Sequence, residues 1–131
     1  MEKLYSAALE AYHKSYSPYS KFAVGAALLM KDGTIISGAN IENASYGLSN
    51  CAERSALFCA YSKGYQKNDI LKMLIVANTP HPVSPCGACR QVIQELMPKN
   101  SDVIMCNLNK ETKTVKVLDL LPFAFTEEDL K

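Results

Sequence analysis

Between residues 2 and 14 the apolar positions Leu4, Ala7, Ala8, Ala11 and Tyr12 recur on one helical face, with Glu2, Lys3, Glu10 and Lys14 around them, which predicts a first helix. Ser17-Pro18-Tyr19-Ser20 ends it, because proline biases the residue before it away from helix. Residues 22–30 form a nearly continuous apolar run, as expected of a strand covered on both faces. Lys31-Asp32-Gly33-Thr34 carries the Asp-Gly hairpin signal, and residues 34–39 make the return strand. Residues 40–50 are polar and turn-rich. A second helix is predicted over 51–61, with Asn50 or Ser49 as cap, then a strand over 70–78 and a stiff loop at Thr79-Pro80-His81-Pro82. A third helix over 86–97 stops at Pro98, and two strands, 102–108 and 114–118, follow. A hairpin followed by strand–helix alternation predicts a five-stranded mixed sheet between helices, an α/β sandwich.

Composition narrows the picture without changing it. At 131 residues the chain suits one domain spanning 1–131, 48% apolar and 21% charged. A net charge of +1 with no basic run gives no reason to expect a nucleic-acid partner. No apolar stretch reaches transmembrane length and no signal-peptide core follows Met1-Glu2-Lys3, so no membrane partner and a cytoplasmic location are expected. Five cysteines, two of them in a C-x-x-C, favour reduced, metal-binding thiols over a disulfide framework.

The chemistry concentrates in Cys51-Ala52-Glu53-Arg54 and Pro85-Cys86-Gly87-Ala88-Cys89-Arg90. Three cysteines can hold one Zn²⁺ and leave its fourth position to water, which is the arrangement of a catalytic site; a structural site closes with four protein ligands. Cys51, Cys86 and Cys89 are the metal candidates, and Glu53 is the proton carrier for that water. Both ligand groups open predicted helices, whose N-termini favour thiolate. Three thiolates on one Zn²⁺ leave about −1 formal charge, which weakens its power to acidify water. Arg54 and Arg90 are candidates to offset it through sulfur; for Arg54 a helix-surface salt bridge is the alternative. Cys59, eight residues beyond Cys51, lies about 12 Å along a helix and cannot easily share the ion. Cys106 reads as a buried small hydrophobe, His81 as a loop residue, and His13 as exposed at a helix end.

Asn40 and Glu42 are two apart in an extended segment, so their side chains face one way. An amide and a carboxylate so placed suit hydroxyl recognition; the alternative is a turn cap beside a solvated acid. Glu42 repels phosphate and no Gly-rich phosphate loop is present, which favours a nucleoside over a nucleotide.

Cys-Ala-Glu followed by Pro-Cys-x-x-Cys resembles the zinc nucleoside deaminases in their three-cysteine form. Pro18-Tyr19-Ser20-Lys21-Phe22, Val24-Gly25-Ala26-Ala27 and Asn40-Ile41-Glu42-Asn43-Ala44 are similar to the small homotetrameric cytidine deaminases, over nearly the whole chain. The resemblance implies a cytidine deaminase-like three-layer α/β/α sandwich with strand order 2-1-3-4-5. It also implies one Zn²⁺ per subunit and hydrolytic deamination of cytidine and 2′-deoxycytidine in pyrimidine salvage. It favours Arg54 as the residue bonded to sulfur, and assigns ribose 3′-OH binding to Asn40 and Glu42 with Phe22 nearby. Backbone groups of Ala52 and Ser84 are expected at the base edge. Tyr46 and Phe125 match positions that reach into a neighbour's site in a homotetramer, while Phe123 stands where many relatives have a small residue. The apolar tail, Leu118 through Phe125, suits an interface, or alternatively folds onto its own sheet.

Three other functions fit parts of the pattern. A blasticidin-type deaminase shares the three-cysteine site but not the ribose-type Asn40-x-Glu42. A thiol–disulfide oxidoreductase would use Cys86 and Cys89 and leave Cys51-Ala52-Glu53 without a role. A zinc-stabilised interaction module needs a fourth protein ligand.

Overall fold

The computed structural model describes residues 1–130. Its centre is a five-stranded sheet in the order β2-β1-β3-β4-β5. The strands are β1 (Val24–Met30), β2 (Ile35–Ala39), β3 (Ile70–Ala77), β4 (Asp102–Asn107) and β5 (Thr112–Lys116). β1 runs antiparallel to both β2 and β3, β3 and β4 are parallel, and β5 returns antiparallel to β4. The helices are α1 (Glu2–His13), α2 (Ala52–Ser62), α3 (Gly87–Leu96) and the single turn α4 (Val117–Leu120).

Alternation along the central strands divides the core in two. Ala26, Leu28, Met30, Met73, Ile75, Val103 and Met105 face one way and pack with Ala56 and Leu57 of α2 and Ile93 of α3. Ala27, Leu74, Val76, Ile104 and Cys106 face the other way and meet Leu4, Tyr5 and Ala8 of α1. Both faces of the sheet are therefore covered, which explains why β1 and β3 read as unbroken apolar runs. This is the expected α/β/α sandwich with the expected strand order.

Two glycines let helices approach the sheet closely. A Cβ on Gly25 would stand 2.0 Å from Ala8 O of α1, and one on Gly38 would stand 2.4 Å from Ala56 N of α2. The second contact matters more for chemistry, because α2 carries the Cys51–Arg54 stretch.

Several boundaries differ from expectation. Cys51 itself is the N-cap of α2, rather than Asn50 or Ser49. Asn50 pairs with Ile41 through two main-chain bonds of 2.9 Å, and Ser49 Oγ accepts from Asn43 N, so both serve the preceding loop. That loop also contains a short 3₁₀ turn at Tyr46–Leu48. β5 begins earlier than expected because the buried Asn107 side chain accepts from the N–H groups of Asn109 and Glu111 and tightens the turn. Lys110 takes a left-handed φ of 62° there. Residues 117–120 are helical rather than extended. The acidic end forms a 3₁₀ turn over Glu127–Leu130, with Thr126 N donating to Asp129; residue 131 lies outside the described residues. Phe123 is fully exposed with φ 57°, and does not fold back onto its own sheet.

Candidate active site

Two helix N-termini meet at the end of the sheet. Cys51 caps α2 and Cys86 caps α3, where its sulfur accepts from Cys89 N at 3.4 Å. The Cys51 and Cys86 sulfurs lie 3.7 Å apart, and all three sulfurs of Cys51, Cys86 and Cys89 lie within 4.8 Å of one another. Cys59 and Cys106 belong to no such group among the described residues; Cys106 is buried in β4, and burial pushes its thiol pKa up. His81 is exposed on its loop, and His13 is exposed at the end of α1.

Arg54 Nη2 donates to the Cys51 sulfur at 3.3 Å. Its Nε is buried without a hydrogen-bond partner in the described structure, an arrangement that costs about 1–3 kcal/mol. Among the described residues the guanidinium bonds to sulfur and forms no salt bridge. Hydrogen bonding from Cys89, then from Arg54 and Cys86, draws the Cys51 thiol down to about 5, against its burial. The Cys89 thiol moves the opposite way, raised by its bond to Cys51, by burial and by the Glu53 charge. Arg54 stays firmly protonated through its bonds to Cys51 and Cys89.

Glu53 is 4% exposed. Burial raises its pKa to about 7; hydrogen bonding from its own backbone opposes the rise, and the Cys51 charge adds to it. A carboxyl poised there takes up and releases a proton at neutral pH.

Glu53 borders a cavity of about 230 Å³ that also draws in Phe22, Asn40, Glu42, Cys51, Ala52, Val83, Ser84 and Cys86. Most residues singled out from the sequence therefore meet around one space. An adjoining cavity of about 660 Å³ shares Asn40, Glu42, Cys51 and Cys86 and includes Tyr46 and Arg54. Phe125 lines neither; it sits beyond α3, where its carbonyl accepts from Gln91 Nε2 at 2.8 Å.

Asn40 is more than a turn cap. Its Oδ1 accepts from Val24 N at 2.9 Å and from Ser15 Oγ, and its Nδ2 donates to Phe22 O at 2.8 Å. Glu42 is not simply solvated either. Oε1 accepts from Tyr19 N at 3.0 Å and Ser20 N at 3.1 Å, while Oε2 accepts from Ser20 Oγ. Those bonds, the Ser20 hydroxyl first, hold the Glu42 carboxyl below the usual carboxylate range.

Comparison with known proteins settles the lineage. Residues 1–106 match the family described as the cytidine and deoxycytidylate deaminase zinc-binding region. The chain belongs to that deaminase family. The cytidine deaminase of Halalkalibacterium halodurans is 55% identical over 129 residues, covering 98% of this chain and 96% of the relative. That of Sporosarcina psychrophila is 50% identical, covering 99% and 94%. Among solved structures, the cytidine deaminase of Burkholderia pseudomallei superposes with a TM-score of 0.92 at 47% identity, covering 95% of this chain and 98% of that one.

The sulfur cluster of this deaminase-family chain fits the zinc its family binds. Tetrahedral zinc with Zn–S near 2.3 Å sets sulfurs about 3.8 Å apart, and the Cys51–Cys86 pair stands at 3.7 Å. The Arg54 guanidinium donates to the Cys51 sulfur, which favours its thiolate. No fourth cysteine or histidine joins the three among the described residues, so a closed structural site is not formed.

One site residue escaped sequence reasoning, and one candidate takes a different place. Ser20 lies in the Pro18–Phe22 stretch and carried no role, yet it fixes Glu42 through both hydroxyl and amide. Arg90 was matched with Arg54 as a partner for sulfur; instead its guanidinium turns to Pro85 O, Ser84 Oγ and Leu120 O. Its targets are main-chain or hydroxyl acceptors, which leave little trace in residue type.

Proposed function

We propose that the chain is a zinc-dependent cytidine deaminase, converting cytidine and 2′-deoxycytidine with water to uridine and 2′-deoxyuridine plus ammonia, as in pyrimidine salvage. The observation that carries this reading is the buried Glu53 carboxyl bordering one cavity with Cys51 and Cys86, two members of a three-sulfur cluster at two helix N-termini.

Cys51, Cys86 and Cys89 would hold the metal, with the Arg54 guanidinium donating to the Cys51 sulfur. Zinc held there would supply Lewis acidity for the attack of water. Glu53 accepts a proton from the attacking water and delivers it to N3 of the base as the oxygen adds at C4. It then takes the proton of the hydroxyl added at C4 and gives it to the amino nitrogen, so that the C4–N bond breaks, ammonia departs and the C4 carbonyl of uridine forms.

Binding follows from the groups left free. Asn40 has one amide hydrogen uncommitted and Glu42 Oε2 one lone pair, a donor and an acceptor that together match a hydroxyl. The ribose 3′-OH takes that place, with Phe22 beside the sugar, and main-chain groups of Ala52 and Ser84 meet the base edge. Glu42 remains ionised and opposes a phosphate, so cytidine is favoured over its monophosphate.

The chain acts as a single cytoplasmic domain in a homotetramer, with Tyr46 and Phe125 completing a neighbour's site. Both are exposed, Tyr46 at 91%. No described helix is long and apolar enough to cross a membrane.

The test is ultraviolet loss of cytidine by the zinc-loaded chain beside Glu53→Gln, with zinc quantified in both. The parent turns over, while the variant keeps its zinc and loses about 10²–10⁴-fold in kcat. A zinc-replete parent that leaves cytidine untouched would overturn the reading.

A further inference from the structure

Arg90 lies in the first turn of α3, directly after Cys89, and its side chain points away from the sulfurs. Nε donates to Pro85 O at 3.0 Å, Nη2 to Ser84 Oγ, and Nη1 to Leu120 O at 2.8 Å. One planar group thus grips the loop that ends in Cys86 and the last turn before the C-terminal segment. One turn further along α3, the buried Gln94 donates to Val117 O at 2.7 Å. α3 therefore holds the C-terminal segment by its main chain at two successive levels.

Between β3 and α3 the chain forms no helix or strand. Besides the Arg90 guanidinium, its tethers are Asn107 Nδ2 to Pro80 O at 3.2 Å, Thr79 N to Ala77 O at 3.1 Å, Thr79 Oγ1 to His81 O, the Arg90 amide to Cys86 O at 2.9 Å and Cys89 N to Cys86 Sγ at 3.4 Å, with Val83 packed against the core. Val83, Ser84 and Cys86 contribute to the wall of the smaller cavity, which Phe22 and Glu42 also line. The guanidinium ties residues 84 and 85 of that wall to Leu120, with a fork that reaches acceptors a lysine ammonium cannot satisfy together.

We propose that Arg90 is a positioning residue that clamps residues 84–86 of the cavity wall to the C-terminal segment, so that docking of that segment through Gln94 fixes where the base is held. The proposal rests on the deaminase reading and extends it: substrate binding is set partly by how the chain's end packs, outside the cavity.

The experiment uses the zinc-loaded chain with Arg90→Lys, Gln94→Ala and the double variant, and reads both steady-state kinetics and amide hydrogen exchange without substrate. Arg90→Lys should raise KM for cytidine about tenfold while kcat per bound zinc stays within about threefold, since a contact made equally in ground and transition states is lost. Exchange at Val83, Ser84 and Cys86 should quicken about tenfold. Gln94→Ala should show the same signature more weakly, and the double variant should be no worse than Arg90→Lys, because the link is already cut. Should Gln94→Ala fail to fold, Gln91→Ala loosens the same segment at Phe125 O. Unchanged KM and exchange in Arg90→Lys, or losses that multiply in the double variant, would overturn the proposal. So would a fall in zinc content or kcat with KM intact, which marks a folding role. A parent inactive on cytidine would instead defeat the deaminase reading, leaving exchange to judge the clamp.

Discussion

The Glu42 carboxylate is fixed by three donors from residues 19 and 20, and each of them favours its charged form. Its folded pKa is therefore depressed, so its contribution is complete above the ordinary carboxylate value and is lost as pH falls through the lowered one. Inhibition by the product uridine reads this binding role without proton transfer. Uridine inhibition should stay constant through the usual carboxylate range and weaken only below it, while Ser20→Ala should move that weakening to higher pH. An acid limb left unshifted by Ser20→Ala would show that Ser20 does not set the charge. Residue by residue, the clustering of Cys51, Cys86 and Cys89 beside Glu53 was legible because it depends on spacing within two short stretches. The contacts of Ser20 and Arg90 were not, because Glu42 lies 22 residues from Ser20, and Arg90 bonds to the carbonyls of Pro85 and of Leu120, 30 residues on, and to a serine hydroxyl. Cys51 as its own helix cap was equally hidden, since sulfur is no usual cap and Asn50 and Ser49 offered better ones.

Elements bring these residues together, and the contact of α2 with β2 is the tightest point of control. Ala at position 38 would drive its Cβ into the α2 backbone, forcing apart the helix that carries Cys51, Glu53 and Arg54 and the strand that leads into Asn40. Gly38→Ala should cost about 1–3 kcal/mol and also lower kcat/KM. Gly33→Ala is the contrast: φ there is 89° but a Cβ meets nothing, so about 1–2 kcal/mol is lost in the hairpin while kcat/KM holds. Melting curves and kinetics on both variants separate the two, and full activity in Gly38→Ala would remove α2 placement from the argument. The elements themselves were legible where periodicity was strong. β1, β3 and β4 alternate between two apolar layers, and α1 shows one apolar face. The last strand was misplaced because an Asn side chain, not a run of turn-forming residues, sets where the chain reverses. The strand order was not derivable from pattern alone; it came with the family resemblance.

For the whole molecule, the open question is what covers the site. The 660 Å³ cavity adjoins the smaller one at Glu42, Cys51 and Cys86, and a reaction that relies on a buried carboxyl and thiolates gains from excluding bulk water. Tyr46, Leu48, Phe123 and Phe125 are all strongly exposed in the single chain, more apolar surface than an isolated small domain needs. In the tetramer proposed above, Tyr46 of one copy closes the site of another, and subunit mixing tests this directly. Tyr46→Ala removes the closing group but keeps Glu53; Glu53→Gln keeps Tyr46 but cannot move the proton. Each variant alone should be nearly inactive or bind cytidine poorly. Co-expressed, they should regain activity, because a subunit with intact Glu53 now meets a neighbour with intact Tyr46. Light scattering on the same samples should give a mass several times the 14.4 kDa of one chain. Activity no greater than the sum of the separate variants, in assemblies that demonstrably mix, would place Tyr46 over the cavity of its own chain instead.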